Sequence, residues 1–347
     1  MIESGGEPGL QDKRLEILKT GNLVLVDALN RIKWQSFNFP TDVMLWGQRL
    51  NVATRLTSFP TNSTAFYSFE IQHSKIALYL SSGKWNYSYW EFQPTKSRNI
   101  TFIELGSKGL EIFNDKYKKI AQISSFGTQF QPLRFLALGN KTGNMGLYFY
   151  SPEKRSFEAA FQALNTTCDL PLACRPYGIC TLSNACSCIR LLTAKKGAGS
   201  DCNGGFSEGF CDKGQPEMLE LSGVSSVLRT APKRVNVSKQ TCENLCLQDC
   251  KCAAALYSTS LRECFTYGLV SGVKQVERGT GLTFMVKVPN GTQVSHGKSN
   301  VKKWVLVMVG VIDGLIILLV IGGLGYCLVQ RRRRRRRNML ASDNNNT

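Results

Sequence analysis

Twelve cysteines crowd between Cys168 and Cys264, and a thirteenth, Cys327, stands apart in an apolar run. Cysteines at this density either ligate a metal, act as thiolates or pair as disulfides. Metal is not expected: Cys186-x-Cys188 and Cys250-x-Cys252 lack the gap of about two to four residues usual for zinc pairs. Thiolate catalysis is not expected either, because the sequence holds only two histidines, His73 in a predicted strand and His296 far downstream. Neither completes a Ser/His/Asp or Cys/His arrangement, and no GxxxxGK[ST] loop or HExxH motif is present. No enzyme activity, no cofactor and no nucleic-acid partner are therefore expected. Disulfides remain, and twelve is an even number that permits six of them, leaving Cys327 as the sole free thiol.

The spacing divides these cysteines in two. Cys168, Cys174, Cys180, Cys186, Cys188 and Cys202 follow C-x5-C-x5-C-x5-C-x-C-x13-C, for which fifteen pairings are open. A unit of about 35 residues buries too little apolar surface to stand without such bridges, at about 2 to 4 kcal/mol each. The second set is Cys211 followed by Cys242, Cys246, Cys250, Cys252 and Cys264. Cys242, Cys246 and Cys250 recur every four residues, which on a helix forms one stripe facing the rest of its domain. Cys252 is expected to open a short strand, CAAALY.

Disulfides imply an oxidising compartment, and the N-x-S/T triplets agree with it. Asn62, Asn86, Asn99, Asn140, Asn165, Asn236 and Asn290 each begin one upstream of the apolar run, and Asn345 begins one beyond it. The run Val305 to Val329 has 25 residues, enough for about 37 Å of helix against a bilayer core of about 30 Å. Arg331 to Arg337 follow at once and outweigh Lys298, Lys302 and Lys303 on the other flank. The positive-inside bias then predicts a single pass with the N-terminal side outside, at the plasma membrane, and Asn345 bare in the cytosol. Gly310 and Gly314 form GxxxG around Asp313, an ionisable residue costing about 2.5 to 3.5 kcal/mol in a span, so this face is a candidate helix contact. Cys327 is a candidate for acylation and the arginines for anionic lipid.

The formal charge of +18 divides into about +13 for residues 1–303, −1 for the span and +6 for the tail. A basic exterior favours acidic partners. Ten residues follow the arginines, so no cytosolic catalytic module is expected and any signal would leave through a partner, such as a receptor kinase. The first residues, MIESGGEPGLQDKRLEIL, hold no apolar core of a secretory signal, so a missing upstream segment is expected.

The elements that must position all this are strands. From residue 15 to 165, short β-branched, leucine and aromatic runs are broken by Gly, Asn, Ser and Asp, with no 3.6-residue stripe. Three segments repeat one pattern of leucine, glycine turn, strand, polar turn and strand, beginning at Leu18, Leu105 and Leu138. Hairpins of this size must stack around a shared core.

Gly21 to Leu50, with its GNLVLV strand, Trp34-Gln35-Ser36-Phe37 and Pro40-Thr41-Asp42, resembles the closing portion of a plant bulb-type lectin domain. Residues 66–165, ending in LGNKTGNMGLYFY before CDLPLACRPYGIC, resemble the second lectin-like domain of plant S-domain (G-type lectin) receptors. The segment with Cys242 to Cys264 and the strand GLTFMVKVP resembles a PAN/apple domain, and the first cysteine set an EGF-like module. The closest likeness is to kinase-less, PAN-containing members. The resemblance implies a mainly β chain. Residues 1–50 would be a partial lectin prism, 51–166 a second lectin-like domain, 167–203 an EGF-like spacer and 209–289 an α+β PAN domain. A stalk (290–303), a transmembrane helix (304–329) and a basic tail (330–347) complete it.

The resemblance also implies the pairs Cys168–Cys180, Cys174–Cys186, Cys188–Cys202, Cys242–Cys264 and Cys246–Cys252, and leaves Cys211 for Cys250. PAN domains mediate contacts and self-association in the relatives, so homo- or heterodimerisation through this domain or the span is expected. Bulb lectins bind mannose with Q-x-D-x-N-x-V-x-Y. Set on that motif, Asn22 and Val24 put Leu18 and Thr20 at the Gln and Asp positions, and Asn144 and Tyr148 put Asn140 and Thr142 there. Both charged acceptors are gone. A lost charge-assisted hydrogen bond costs about 1.5 to 3 kcal/mol, most of the ~4 kcal/mol of a millimolar monosaccharide complex. Asn22 and Asn144 are thus expected to serve as turn residues tolerating unusual backbone angles. The expected function is a cell-surface recognition protein, a receptor-like protein or co-receptor for a protein or glycan. The alternatives are a true carbohydrate-binding lectin and a wall-to-membrane anchor.

Overall fold

The computed structural model describes residues 13–59, 65–94, 99–124, 132–189, 191–192, 202, 216–230, 234–277, 280–289, 293–294, 314 and 317–333. It divides into two units, residues 1–294 and 295–347. The first is mainly β and disulfide-bonded.

Three antiparallel strands come first, β1 (Arg14–Ile17), β2 (Leu23–Val26) and β3 (Ile32–Gln35). Three short strands follow, β4 (Val43–Leu45), β5 (Arg49–Asn51) and β6 (Arg55–Ser58), and each joins a different sheet. β6 pairs with the meander β7 (Phe66–Ile71), β8 (Ile76–Ser82) and β9 (Trp85–Phe92). β5 pairs with β10 (Phe102–Gly106), which continues into β11 (Gly109–Phe113) and β12 (Lys119–Ser124). β4 pairs with β13 (Leu133–Leu138), which continues into β14 (Met145–Ser151) and β15 (Ser156–Gln162). Alternate residues of all three sheets, including Met44, Leu50, Leu56, Phe69, Ile103 and Leu136, share one fully buried core. That shared core is why hairpins too small to stand alone hold together.

The three sequence repeats are three of these hairpins, β2–β3, β11–β12 and β14–β15. The expected division at residue 50 runs through β5, and β4, on its N-terminal side, pairs with β13. His73 lies in the turn between β7 and β8, not in a strand, where its carbonyl accepts from Ile100 N at 2.8 Å.

β16 (Gly178–Cys180), β17 (Cys186–Cys188) and β18 (Leu191–Leu192) lead to β19 (Pro216–Leu221) and β20 (Val224–Ser226). A helix, α1 (Lys239–Gln248), precedes β21 (Ala254–Ser258), β22 (Glu263–Tyr267), β23 (Val273–Gln275), β24 (Leu282–Pro289) and β25 (Gln293–Val294). β19, β24, β21 and β22 form one antiparallel sheet beneath α1. A second sheet has the order β17-β16-β23-β20, with β16 parallel to β23. The expected spacer is thus stitched sideways to the segment that follows it. Ser271 Oγ donates to Pro171 O at 3.0 Å, and Lys274 pairs with Asp169 at 2.7 Å.

In the second unit, residues 317–333 are helical. No helix among the described residues is long and apolar enough to cross a membrane. Most of the N-terminal half of the expected span, with Gly310 and Asp313, lies outside the described residues. Gly314 is described, and a Cβ there would meet open space.

Candidate functional site

The two turns expected to carry degenerate sugar positions are copies of one device. Each reads Lys-Thr-Gly-Asn, at residues 19–22 and 141–144. In each the glycine, Gly21 at φ +86° or Gly143 at φ +70°, takes the left-handed angle that a side chain resists. The asparagines therefore do not carry the unusual angle, contrary to expectation. Their side chains are clamps instead. Asn22 Nδ2 donates to Gln35 Oε1 at 2.9 Å, and its Oδ1 accepts from Phe37 N and Ser36 Oγ at 3.2 Å each. Asn144 Nδ2 donates to Leu164 O at 2.8 Å, and its Oδ1 accepts from Leu164 N at 3.0 Å.

Both asparagines spend their amides inside the fold, tying a turn to a neighbouring strand or loop. Asn22 and Val24 are buried, at 5% and 1% exposure, so the first position offers no sugar surface. At the second, Tyr148 stacks on Phe135 at 4.9 Å between ring centres. Tyr148, Asn144 and Thr142 line a cleft of about 220 Å³, with the sequon residue Asn165 also on its wall. This is below the ~300 Å³ at which small-molecule sites begin.

The disulfides are built from the local elements. Cys168 pairs with Cys180, Cys174 with Cys186 and Cys188 with Cys202. Ser238 caps α1, its Oγ accepting from Thr241 N at 3.1 Å, which starts the helix at Lys239. Cys242 and Cys246 then face the sheet, fully buried, and pair with Cys264 of β22 and with Cys252. The helix ends at Gln248, so Cys250 lies beyond it rather than on the stripe, and Cys252 precedes the strand that begins at Ala254. Cys250 is disulfide-bonded. Its expected partner, Cys211, lies outside the described residues. Cys327 is free and exposed.

Lys287, from β24, is a buried functional contact that sequence reasoning misses. It is fully buried, and its Nζ donates to Cys246 O at 2.9 Å and Asp249 O at 3.0 Å. Those carbonyls belong to the C-terminal end of α1, where backbone acceptors have no partner of their own and positive charge is favoured. Burial holds the ammonium's pKa below the ordinary lysine value, with nearby Asp249 opposing. A lysine in an alternating strand reads as a solvent-facing residue, so this role is not legible from residue type and spacing.

An aromatic clamp ties the β9 sheet to the α1 sheet. Tyr87 stacks on Tyr267 at 5.7 Å, with Trp85 beside it at 6.0 Å, and Tyr87 Oη accepts from Gly268 N at 2.7 Å. A Cβ at Gly268 would overlap the Trp85 indole. Ser88 and Arg229 exchange backbone hydrogen bonds alongside. Burial raises the pKa of Tyr267 well above the ordinary phenol value, so it stays neutral. These contacts join the α1 sheet to the sheets of residues 43–162.

The described sequon asparagines, Asn86, Asn99, Asn140, Asn165 and Asn236, are all exposed. Asn62, Asn290 and Asn345 lie outside the described residues. No cluster of three or more metal-ligating side chains occurs among the described residues.

Residues 218–286 match the PAN domain family. The chain is 26% identical over 302 residues to the G-type lectin S-receptor-like serine/threonine-protein kinase SD2-5 of Arabidopsis thaliana, covering 81% of this chain and 36% of that protein. It is 25% identical over 264 residues to a PAN domain-containing protein of the same plant, covering 73% and 53%. A third relative, EP1-like glycoprotein 3 of Arabidopsis thaliana, is 25% identical over 356 residues, covering 84% and 78%. The chain spans about a third to a half of the length of the first relatives it matches. The chain thus carries a PAN domain and, over most of its length, resembles plant G-type lectin S-receptor-like proteins, PAN domain-containing proteins and EP1-like glycoproteins.

Proposed function

We propose that this chain is a single-pass plant cell-surface recognition protein, a non-catalytic, kinase-less receptor-like protein or co-receptor. The observation that carries the reading is the likeness, over about four-fifths of the chain, to a G-type lectin S-receptor-like kinase, together with the PAN domain. The three sheets seeded by β4, β5 and β6 support a lectin-like prism, with the PAN domain clamped to its side. For the anchor, the support is chemical. Ile317, Leu318, Leu319, Val320, Ile321 and Leu324 are all exposed on one short helix, leaving no polar face. A helix apolar all round belongs in lipid or in a core, and Arg331 begins where such a helix would leave the bilayer.

The clamped state of Asn22 and Asn144 weighs against a mannose lectin. The full chain, solubilised in detergent and applied to an array of neutral high-mannose glycans, is expected to show no mannose-competable binding. Competable binding would replace the receptor reading with that of a lectin acting through the Tyr148 cleft, where a glycan on Asn165 would stand at the wall.

Self-association is the second expectation, because a recognition protein without its own catalysis acts by bringing a partner along. Gly314→Leu fills the groove where two spans would approach, and it should weaken association of isolated spans by about 1 kcal/mol. Equal signals from wild type and variant in a transmembrane dimerisation reporter would remove the span and leave the PAN surface.

A further inference from the structure

A larger cleft, of about 440 Å³, lies between the Lys19-Thr20-Gly21 turn and the sheet β15-β14-β13-β4. Its walls carry aromatic rings, with Phe157 edge-on to Phe135 at 5.0 Å and to Tyr150 at 5.4 Å. Trp46, Tyr150 and Phe157 keep 41%, 39% and 53% of their surface exposed. Two cations, Lys19 and Arg134, complete the wall, and no aspartate or glutamate lines it. Neither cation is engaged in an ion pair among the described residues, and Glu158, next along β15, is held by Lys154 at 2.6 Å. The floor is fixed by Trp46 N, which donates to Arg134 O at 3.0 Å, and by Gly21, whose missing side chain lets the turn seat on Leu45.

We propose that this cleft binds an acidic oligosaccharide, a uronate chain whose pyranose faces stack on Trp46, Tyr150 and Phe157 while its carboxylates pair with Lys19 and Arg134. The proposal rests on the extracellular recognition reading and names a ligand class for it. Charge complementarity selects an anion, since the wall presents two cations and no acid, and neither cation has an ion-pair partner among the described residues. Ring exposure favours a sugar: Trp46, Tyr150 and Phe157 all keep surface exposed along one cleft, and a ligand that repeats a flat C–H face along its length can meet more than one of them. A sulfated peptide supplies the anions without that repeat. The charge of about +13 on residues 1–303 raises the local concentration of any such polyanion. The cleft is separate from the Tyr148 cleft and uses none of the clamped asparagines.

Calorimetric titration of the detergent-solubilised full chain with de-esterified oligogalacturonate, its methyl ester and a tyrosine-sulfated peptide tests this. The de-esterified sugar should bind at least about tenfold more tightly than the ester, because the charge-assisted contacts go with the carboxylates. Arg134→Glu should reproduce that loss, Trp46→Ala should weaken both sugar forms, and Lys116→Glu, on the β11–β12 turn and outside the lining of the cleft, should change neither. Equal affinity for acid and ester overturns the proposal, a result that needs no variant to fold. So does an equal loss from Lys116→Glu, which would mark diffuse attraction, or tighter binding of the sulfated peptide. Crosslinking of two tagged copies in the same preparation reports self-association independently, so a failed cleft and a failed recognition reading are told apart.

Discussion

Replacing Cys242 and Cys264 together by alanine should cost the α1 sheet about 3 kcal/mol. The bond closes a loop with a sequence separation of 22 residues, and the chain-entropy estimate for that length is about 3 kcal/mol. Cys246–Cys252 closes only 6 residues, for which the same estimate is about 2 kcal/mol. The two double variants should therefore rank in that order when hydrogen exchange is followed at the α1 amides. The sheets of residues 43–162 should keep their protection in both, since no disulfide reaches them among the described residues. A reversed order, or unfolding of the whole unit at once, would show that these bridges do not act through the local loop.

Tyr267→Ala is the second large effect, expected at about 3 to 5 kcal/mol as for other large aromatic truncations in a core. Tyr267 is fully buried, packs between Tyr87 and Phe284, and donates its hydroxyl to Leu228 O at 3.3 Å. The truncation removes the ring that joins the β9 sheet to the α1 sheet, so limited proteolysis should separate the PAN segment from the rest. Tyr267→Phe keeps the stack and should cost only about 1 kcal/mol. If alanine and phenylalanine behave alike, the hydroxyl and not the stack makes the joint.

The sequence makes local pairing legible and long-range pairing not. Gly21, Gly109 and Gly143 mark hairpins because turn and both strands fall within about 20 residues, and the alternation inside them follows the strand period of two. The even cysteine count and the helix over Lys239–Gln248 are visible for the same reason. By contrast, nothing in Val43–Leu45, Arg49–Asn51 or Arg55–Ser58 tells which of three sheets each will join. β16 meets β23 across 94 residues, from Cys180 to Lys274, and Tyr87 meets Tyr267 across 180. Those partners are chosen by the packed core. The acidic-ligand cleft is hidden likewise, since Lys19 and Arg134 come together only when the first turn seats on β4. The matched Lys-Thr-Gly-Asn turns are visible as a repeat, but their amides turn inward because folding brings Gln35 and Leu164 to them.

The proposed function puts the disulfide-bonded β body outside the cell, anchored by a single span. Mass-spectrometric mapping of N-glycan occupancy on the chain purified from plant membranes tests it most directly. Glycans are expected on the exposed Asn86, Asn99, Asn140, Asn165 and Asn236, and none on Asn345. Occupancy at Asn345, or bare asparagines throughout residues 86–236, would contradict it.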